Sequence, residues 1–189
     1  VLDAPGPVVA TSTRPDTLAV TFHAREAKGP VAIFDPQRLA GLEGGLRWSP
    51  VRGCEQPRVA LVRARGLASG AGFGGSVSDS GFWAGQCESA LRCLLHAAAL
   101  DGRGALDLYR WSLNPVLAED AISILTRHPS AASGWADALD AAIHCDPRTR
   151  DSVWLGVRQS LAALADPLVL AAVDPDPKDA FDPATFLRE

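Results

Sequence analysis

The chain has 189 residues, enough to bury a core as one domain or as two intimate ones. Hydrophobic residues make up 47% and charged residues 21%, the balance of a soluble globular protein, which excludes a disordered tail or a low-complexity linker. The formal charge of -4 is unevenly spread: residues 1–65 hold nine Arg/Lys against six Asp/Glu, +3, and the remainder holds nine against sixteen, -7.

No run of eighteen apolar residues occurs, so no membrane span is expected, and nothing near Val1 resembles a signal peptide. The chain lacks methionine, which points to an internal piece of a longer protein. Four cysteines, Cys54, Cys87, Cys93 and Cys145, show no C-x-x-C spacing. Cys87 and Cys93 lie about 240° apart around a helix and neither pair nor share a metal, so packed reduced thiols are expected.

In chain order, VVATS after Gly6–Pro7 predicts a short buried strand. Pro15 opens a helix to about Lys28, and Gly29–Pro30 stops it. VAIF (Val31 to Phe34) predicts a second strand ending at Asp35–Pro36, which makes a βαβ unit with parallel strands. Ligands gather at the carboxyl ends of such strands, where Ser12–Arg14 and Asp35 lie. Residues 37–55 read as a loop, with Trp48 plugging onto the sheet. Pro57–Ala68 predicts a helix carrying Val59, Leu61 and Val62.

The glycine-rich stretch Ser69 to Ser76 matches G-x-G-x-x-G through Gly70, Gly72 and Gly75. A dinucleotide fingerprint follows a strand and opens a helix, whereas here a helix precedes it, so a hinge is the better reading.

From Ser80 the pattern is helical almost without break. Trp83, Cys87, Ala90, Leu91, Leu94, Leu95 and Ala98 line one face of a helix from Ser80 to Asp101, capped by Ser80 and stopped by Gly102. It is the longest apolar stripe in the chain and is expected to organise the rest. A short helix over Ala105–Leu113 should turn Leu106, Tyr109 and Leu113 inward. Asn114–Pro115 caps the next helix, to Arg127. Ser130–Cys145 follows, anchored by Trp135, Leu139 and Ile143. Asp146–Pro147 opens the last long helix, with Val153, Trp154, Val157, Leu161 and Leu164 on one face, and Asp166–Pro167 interrupts it. The remainder is a proline-punctuated connector.

Catalytic signals are few. No serine sits in a G-x-S-x-G elbow. The only metal-like grouping is Cys93-x-x-His96 with His144–Cys145, and adjacent residues diverge by about 100° on a helix, which disfavours joint ligation. Glu119–Asp120 sits where carboxylates complement a helix dipole, and Glu88 with Arg92 has i, i+4 ion-pair spacing. Both G-x-x-x-x-G-K-[ST] and a strand ending in Asp–Glu are missing, so the chain is not expected to hydrolyse ATP by itself.

Three passages carry a resemblance. Gly6 to Asp16 (GPVVATSTRPD), Val31 to Pro36 (VAIFDP) and Leu46 to Pro50 (LRWSP) form the first. Phe82–Trp83 with the stripe to Leu100 form the second. Thr149 to Ala172 with Phe181-Asp182-Pro183 to Leu187 form the third. In order and spacing they resemble the conjugative coupling proteins, the TraG/TraD-type ATPases of type IV secretion and plasmid transfer. The resemblance implies a mainly α chain with a small α/β part: a helical all-alpha domain (56–165) inserted in a RecA-like P-loop domain, represented by residues 1–55 and a return connector, 166–189. It also implies a hexameric parent at the cytoplasmic face of the bacterial inner membrane. That parent would bind ATP and Mg and move single-stranded DNA, or its conjugate with a relaxase, toward secretion-channel components. The all-alpha domain would recognise the relaxase or a relaxosome accessory protein. No catalytic or nucleotide-binding residue carries over, because the Walker motifs have no counterpart in this chain.

The acidic balance after residue 65 favours protein contacts over DNA for the helical part. Gln86, Glu88, Arg92 and His96, on the polar face of the Ser80–Asp101 helix, are the candidate partner-binding residues. Two other readings remain: a free-standing nucleotide- or phosphate-binding enzyme using Gly70–Gly75, and a helical interaction module unrelated to motors.

Overall fold

The computed structural model describes residues 1–41, 45–71 and 80–188. Its chain divides into two compact units: residues 49–170, and residues 1–48 together with 171–189.

The unit of residues 49–170 is helical. Among the described residues it contains α2 (Pro57–Gly70), α3 (Ser80–Leu100), α4 (Ala105–Leu113), α5 (Glu119–Arg127), α6 (Trp135–His144) and α7 (Pro147–Ser160), with 3₁₀ turns at Pro115–Ala118 and Ala162–Ala165. Helix α3 is the axis, packed by α2, α4, α5, α6 and α7. From Ala90 to Ala99 every residue but Arg92 is buried, so this half of α3 has no solvent face. A helix apolar nearly all round is stable only when surrounded. Burying Leu91, Leu94 and Leu95 contributes about 1.5–3 kcal/mol each before the entropic cost of ordering them.

Local chemistry sets the ends of these helices. Gly102 adopts φ +66°, and Gly102 and Arg103 donate their N–H groups back to Ala99 O (3.3 Å) and Ala98 O (2.8 Å). This is a Schellman ending, and a side chain at residue 102 would strain it. Asp146 caps α7 by accepting from the N–H groups of Arg148 (3.2 Å) and Thr149 (3.1 Å). The Thr149 side chain above all, with these N–H groups, favours the carboxylate and holds Asp146 below the usual range. Asn114 accepts from Val116 N (2.9 Å) and starts the 3₁₀ turn. The capping role expected of Ser80 lies outside the described side chains.

Two expected faces are turned around. Helix α2 buries the stripe Ala60, Ala64, Ala68, while Leu61 and Val62 are exposed. Small residues at i, i+4, i+8 let α2 approach α3 closely, which larger side chains would prevent. Helix α4 buries Ala105, Leu108, Trp111 and Ser112, leaving Leu106 and Leu113 exposed and Tyr109 half-exposed. Helix α7 follows the sequence pattern, with Val153, Trp154 and Val157 buried and Leu161 and Leu164 beyond; α6 buries Leu139 and Ile143 as expected but begins at Trp135 rather than Ser130, and Trp135 is only half-buried. The Trp154 indole donates to Trp111 O at 3.2 Å.

The second unit holds α1 (Pro15–Glu26) and α9 (Pro183–Phe186), and α8 (Pro167–Val173) runs across the boundary in sequence. The expected βαβ unit is corrected here: among the described residues neither Val8–Ser12 nor Val31–Phe34 is a strand. The physical reason is the lack of a ladder partner. Ile33 O accepts from Leu46 N (2.8 Å), and one bond does not make a sheet. Val9 is 95% exposed, with no neighbouring strand to cover it.

Side chains and loops do the tying instead. Arg25 donates to Ala4 O (3.1 Å) and Gly6 O (2.9 Å), and Lys28 to Leu2 O (2.9 Å), holding the first residues against α1. The stretch before residue 49 and the stretch after residue 170 are joined: Trp48 N donates to Ala172 O (3.1 Å), Phe181 N to Arg47 O (2.7 Å), and Arg47 Nη2 to Ala171 O (2.8 Å). Trp48 packs edge-on against Phe34, with ring centroids 6.4 Å apart, rather than onto a sheet.

The units also redistribute the charge. Residues 49–170 carry eleven Arg/Lys against twelve Asp/Glu, net -1; the other unit carries seven against ten, net -3. The helical unit is therefore nearly neutral. The acidity counted from residue 66 onward includes the connector's Asp174, Asp176, Asp179 and Asp182.

Candidate functional site

The four candidate residues of α3 lie in different environments. Gln86 is half-buried in the first half of the helix. Glu88 is half-buried and pairs with Arg65 of α2 at 3.4 Å, not with Arg92. The i, i+4 spacing permitted the Arg92 pair, but packing α2 alongside brought a different cation to the carboxylate.

Arg92 turns toward α6. Its guanidinium lies over the Trp135 ring, 5.2 Å from the centroid, and its buried Nε has no hydrogen-bond partner. A half-buried guanidinium gains from stacking on an indole face what it forgoes in hydration.

His96 is corrected most plainly. It is fully buried and cannot meet a partner. Its Nε2 accepts from Ala132 N (3.1 Å), and its Nδ1 lies 2.7 Å from Cys54 O. A carbonyl can only accept, so Nδ1 carries the proton and Nε2 the lone pair, the neutral Nδ1–H tautomer. The ring also meets Trp135 edge-on at 5.0 Å. One side chain thus fastens the turn before α2 and the turn before α6 to the central helix. Its role is to hold the bundle.

Other polar groups behave similarly. Arg63, on α2, donates to Pro50 O (2.8 Å) and Arg52 O (2.7 Å), satisfying carbonyls of the turn before its own helix. Arg103 meets Asp101 (2.8 Å), Asp120 (2.6 Å) and Asp107 (3.7 Å), and its guanidinium stands over Trp111. Hydrogen bonding to Asp101 and the surrounding carboxylates raise its already high pKa. Sequence reasoning did not single out Arg103. Its signal was Asp–Gly–Arg at a helix end, followed by acidic first turns in α4 and α5.

The thiols are not poised for chemistry. Cys54, Cys87 and Cys93 are buried and unpaired with one another. Burial pushes Cys54 and Cys93 up to about 11 and raises Cys87 as well. Among the described residues, no three His, Cys, Asp or Glu side chains form a group that could hold a metal ion.

In the other unit, Ser12 and Asp35 serve local turns. The Ser12 hydroxyl accepts from Arg14 N (3.0 Å), and the Asp35 carboxylate accepts from Leu39 N (2.9 Å) and Ala40 N (2.8 Å). Of the glycine loop, Gly70 ends α2, and Gly72 and Gly75 lie outside the described residues. No helix among the described residues is long and apolar enough to cross a membrane.

On the outward face of α4 and the turn after it, Leu106, Leu113, Val116 and Leu117 are all exposed. Comparison with protein-family models, with curated proteins and with solved structures finds no match to this chain.

Proposed function

We propose that this chain belongs to a conjugative coupling ATPase of type IV secretion, its helical unit recognising a transported protein such as a relaxase or an accessory factor. The single observation that supports this reading is the path of the chain. Residues 49–170 form a self-contained helical unit, while the segments on either side of it, 1–48 and 171–189, join into one other unit. The bonds from Trp48 N to Ala172 O and from Phe181 N to Arg47 O close that junction. A domain inserted into a host fold has this organisation, and the resemblance calls for it.

On this reading the second unit contributes to a RecA-like α/β layer whose remaining strands come from the parent. Val9, Ile33 and Phe34 are the apolar positions such strands would cover. ATP and Mg would be held by parent motifs that this chain does not supply, and no step of hydrolysis falls to its residues. The near-neutral helical unit has no cationic excess with which to neutralise a phosphate backbone, so its partner is a protein.

The test is a transfer assay with the parent gene carrying a short linker in place of residues 49–170. ATP hydrolysis should persist while relaxase transfer is lost. Transfer at the wild-type level would overturn the assignment.

A further inference from the structure

The turn between α5 and α6 is held by the lone pairs of two imidazoles. Residues 128–134 join the helices, and Gly134, at φ +76°, ends the turn in the left-handed region. Three consecutive amides of the turn are tied. Ser130 N donates to His128 Nδ1 (3.2 Å), Ala131 N to His128 O (3.0 Å) and Ala132 N to His96 Nε2 (3.1 Å). Two of these acceptors are ring nitrogens, one from the turn itself and one from α3. A ring nitrogen accepts only through its lone pair, and a protonated imidazole has none.

The charges around these rings do not compensate an added proton. Arg92, one turn before His96, lies over the same Trp135 ring that His96 meets, and an Arg63 nitrogen stands 3.9 Å from Cys54 Sγ. The thiols of Cys54 and Cys93, pushed up to about 11 by burial, stay protonated. Beside His128, Arg127 donates to Ser123 O (3.0 Å). The carboxylates of the packed helices are engaged elsewhere: Glu88 by Arg65, Asp101, Asp107 and Asp120 by Arg103, Glu119 and Asp140 by His144, and Asp151 by Arg150. Asp146 caps α7, and Glu55 and Asp137 are exposed. Among the described residues the histidine ion pairs belong to His23 and His144, not to His96 or His128.

His96 gives the response a direction. Its Nδ1–H donates to Cys54 O (2.7 Å) in either charge state, whereas a proton on Nε2 faces the Ala132 N–H. Two donors cannot bond each other, and in a fully buried ring water does not replace the lost acceptor while the turn stays closed. The turn before α2 is therefore kept, and the turn before α6 gives way.

We propose that residues 128–134 form an acid-opened latch: protonation of His96 and His128 releases the Ala132 and Ser130 amides and frees the start of α6, while His96 stays tied to the turn before α2. The sign follows from linkage: protons bind better to the open turn, so the closed turn is complete with neutral rings and loses ground as pH falls. The latch stands or falls independently of the coupling-protein reading.

The test follows amide protection and the histidine ring nitrogens together by NMR, from about pH 8 to about pH 5, the interval in which histidine changes charge. Exchange rates are corrected for their intrinsic pH dependence. Ser130 and Ala132 should lose protection about tenfold or more as the ring nitrogens take up protons, while the Cys54 amide, bonded to Val51 O (2.9 Å), keeps its own. His128→Asn, at a half-buried position, supplies a carboxamide oxygen that accepts from Ser130 N and does not titrate. It should abolish the response at Ser130 and leave that at Ala132. Protection of Ser130 and Ala132 that is constant over the whole interval, or that falls together with that of Cys54, would overturn the proposal. So would an unaltered Ser130 response in His128→Asn.

Discussion

Replacing His96 with phenylalanine should unfold the helical unit more readily than any surface change, although the ring keeps its place and nearly its volume. Phenylalanine preserves the edge contact with Trp135 and the apolar packing of a fully buried site. It removes both ring nitrogens, so Cys54 O and the Ala132 N–H lose their imidazole partner at once. A buried backbone group left unsatisfied costs about 1–3 kcal/mol, so the pair predicts a loss of about 2–6 kcal/mol, reduced wherever water reaches the Ala132 turn. In urea, at about 1–3 kcal/mol per molar, the unfolding midpoint should drop by about 0.7 M or more. Native-state hydrogen exchange adds a local readout: the Ala132 amide, slow in the wild type, should exchange much faster in His96→Phe. An unfolding free energy within about 0.5 kcal/mol of wild type, with Ala132 still protected, would refute the two-bond account and return His96 to the status of a replaceable core residue.

Three further outcomes follow from the packing and the ionisable groups. Ala64→Leu should destabilise by about 1–3 kcal/mol, because α2 approaches α3 through an alanine stripe, while Val62→Ala on its exposed side should stay within about 0.5 kcal/mol in the same urea titration. Thiol pKa values raised to about 11 in Cys54 and Cys93, against about 9 for a free thiol, make the folded state hold its protons longer. That contribution to stability is complete below pH 9 and is lost as pH rises through 11, and native protein at pH 8 should react with a thiol reagent at these sites only after urea is added. Asp146 runs the opposite way: its lowered pKa contributes stability above about 3.8 that fades as pH falls through the folded value. A carboxyl-detected titration should place Asp146 below that reference, and Asp146→Ala should shorten the protected part of α7 from its N-terminus.

The elements most legible in the sequence were those with a single strong periodicity and a marked end. Helix α7 has both: a stripe from Val153 to Leu164 and an Asp146–Pro147 start whose carboxylate caps as its chemistry suggests. Helix α3 was legible in extent, from Ser80 to its Gly102 stop, but not in burial. Reading His96 as solvent-facing assumed one polar face, when the run CLLHAAA around it already described a helix enclosed on all sides. Helix α2 misled because burial there depends on small residues: the larger Leu61 and Val62 drew attention, while Ala60, Ala64 and Ala68 make the contact. Helix α4 has two apolar faces in nine residues, and periodicity alone does not say which one meets the core.

The strands failed for a different reason. Val8–Ser12 and Val31–Phe34 have strand-like composition, but strand formation is a property of pairs, and among the described residues these stretches have no ladder partner. The candidate site shared that fate. Spacing placed Gln86, Glu88, Arg92 and His96 on one helix, and the neighbours brought in by folding decided their roles. Arg65 took Glu88, Trp135 took Arg92, and two backbone groups took His96.

The central claim is that these residues belong to a coupling ATPase, and the most direct measurement is the sequence of the gene on either side of the codons for residues 1–189. The account predicts a G-x-x-x-x-G-K-[ST] motif encoded upstream, at the end of a strand, and an apolar strand ending in Asp–Glu encoded downstream. An open reading frame that carries neither motif would contradict it.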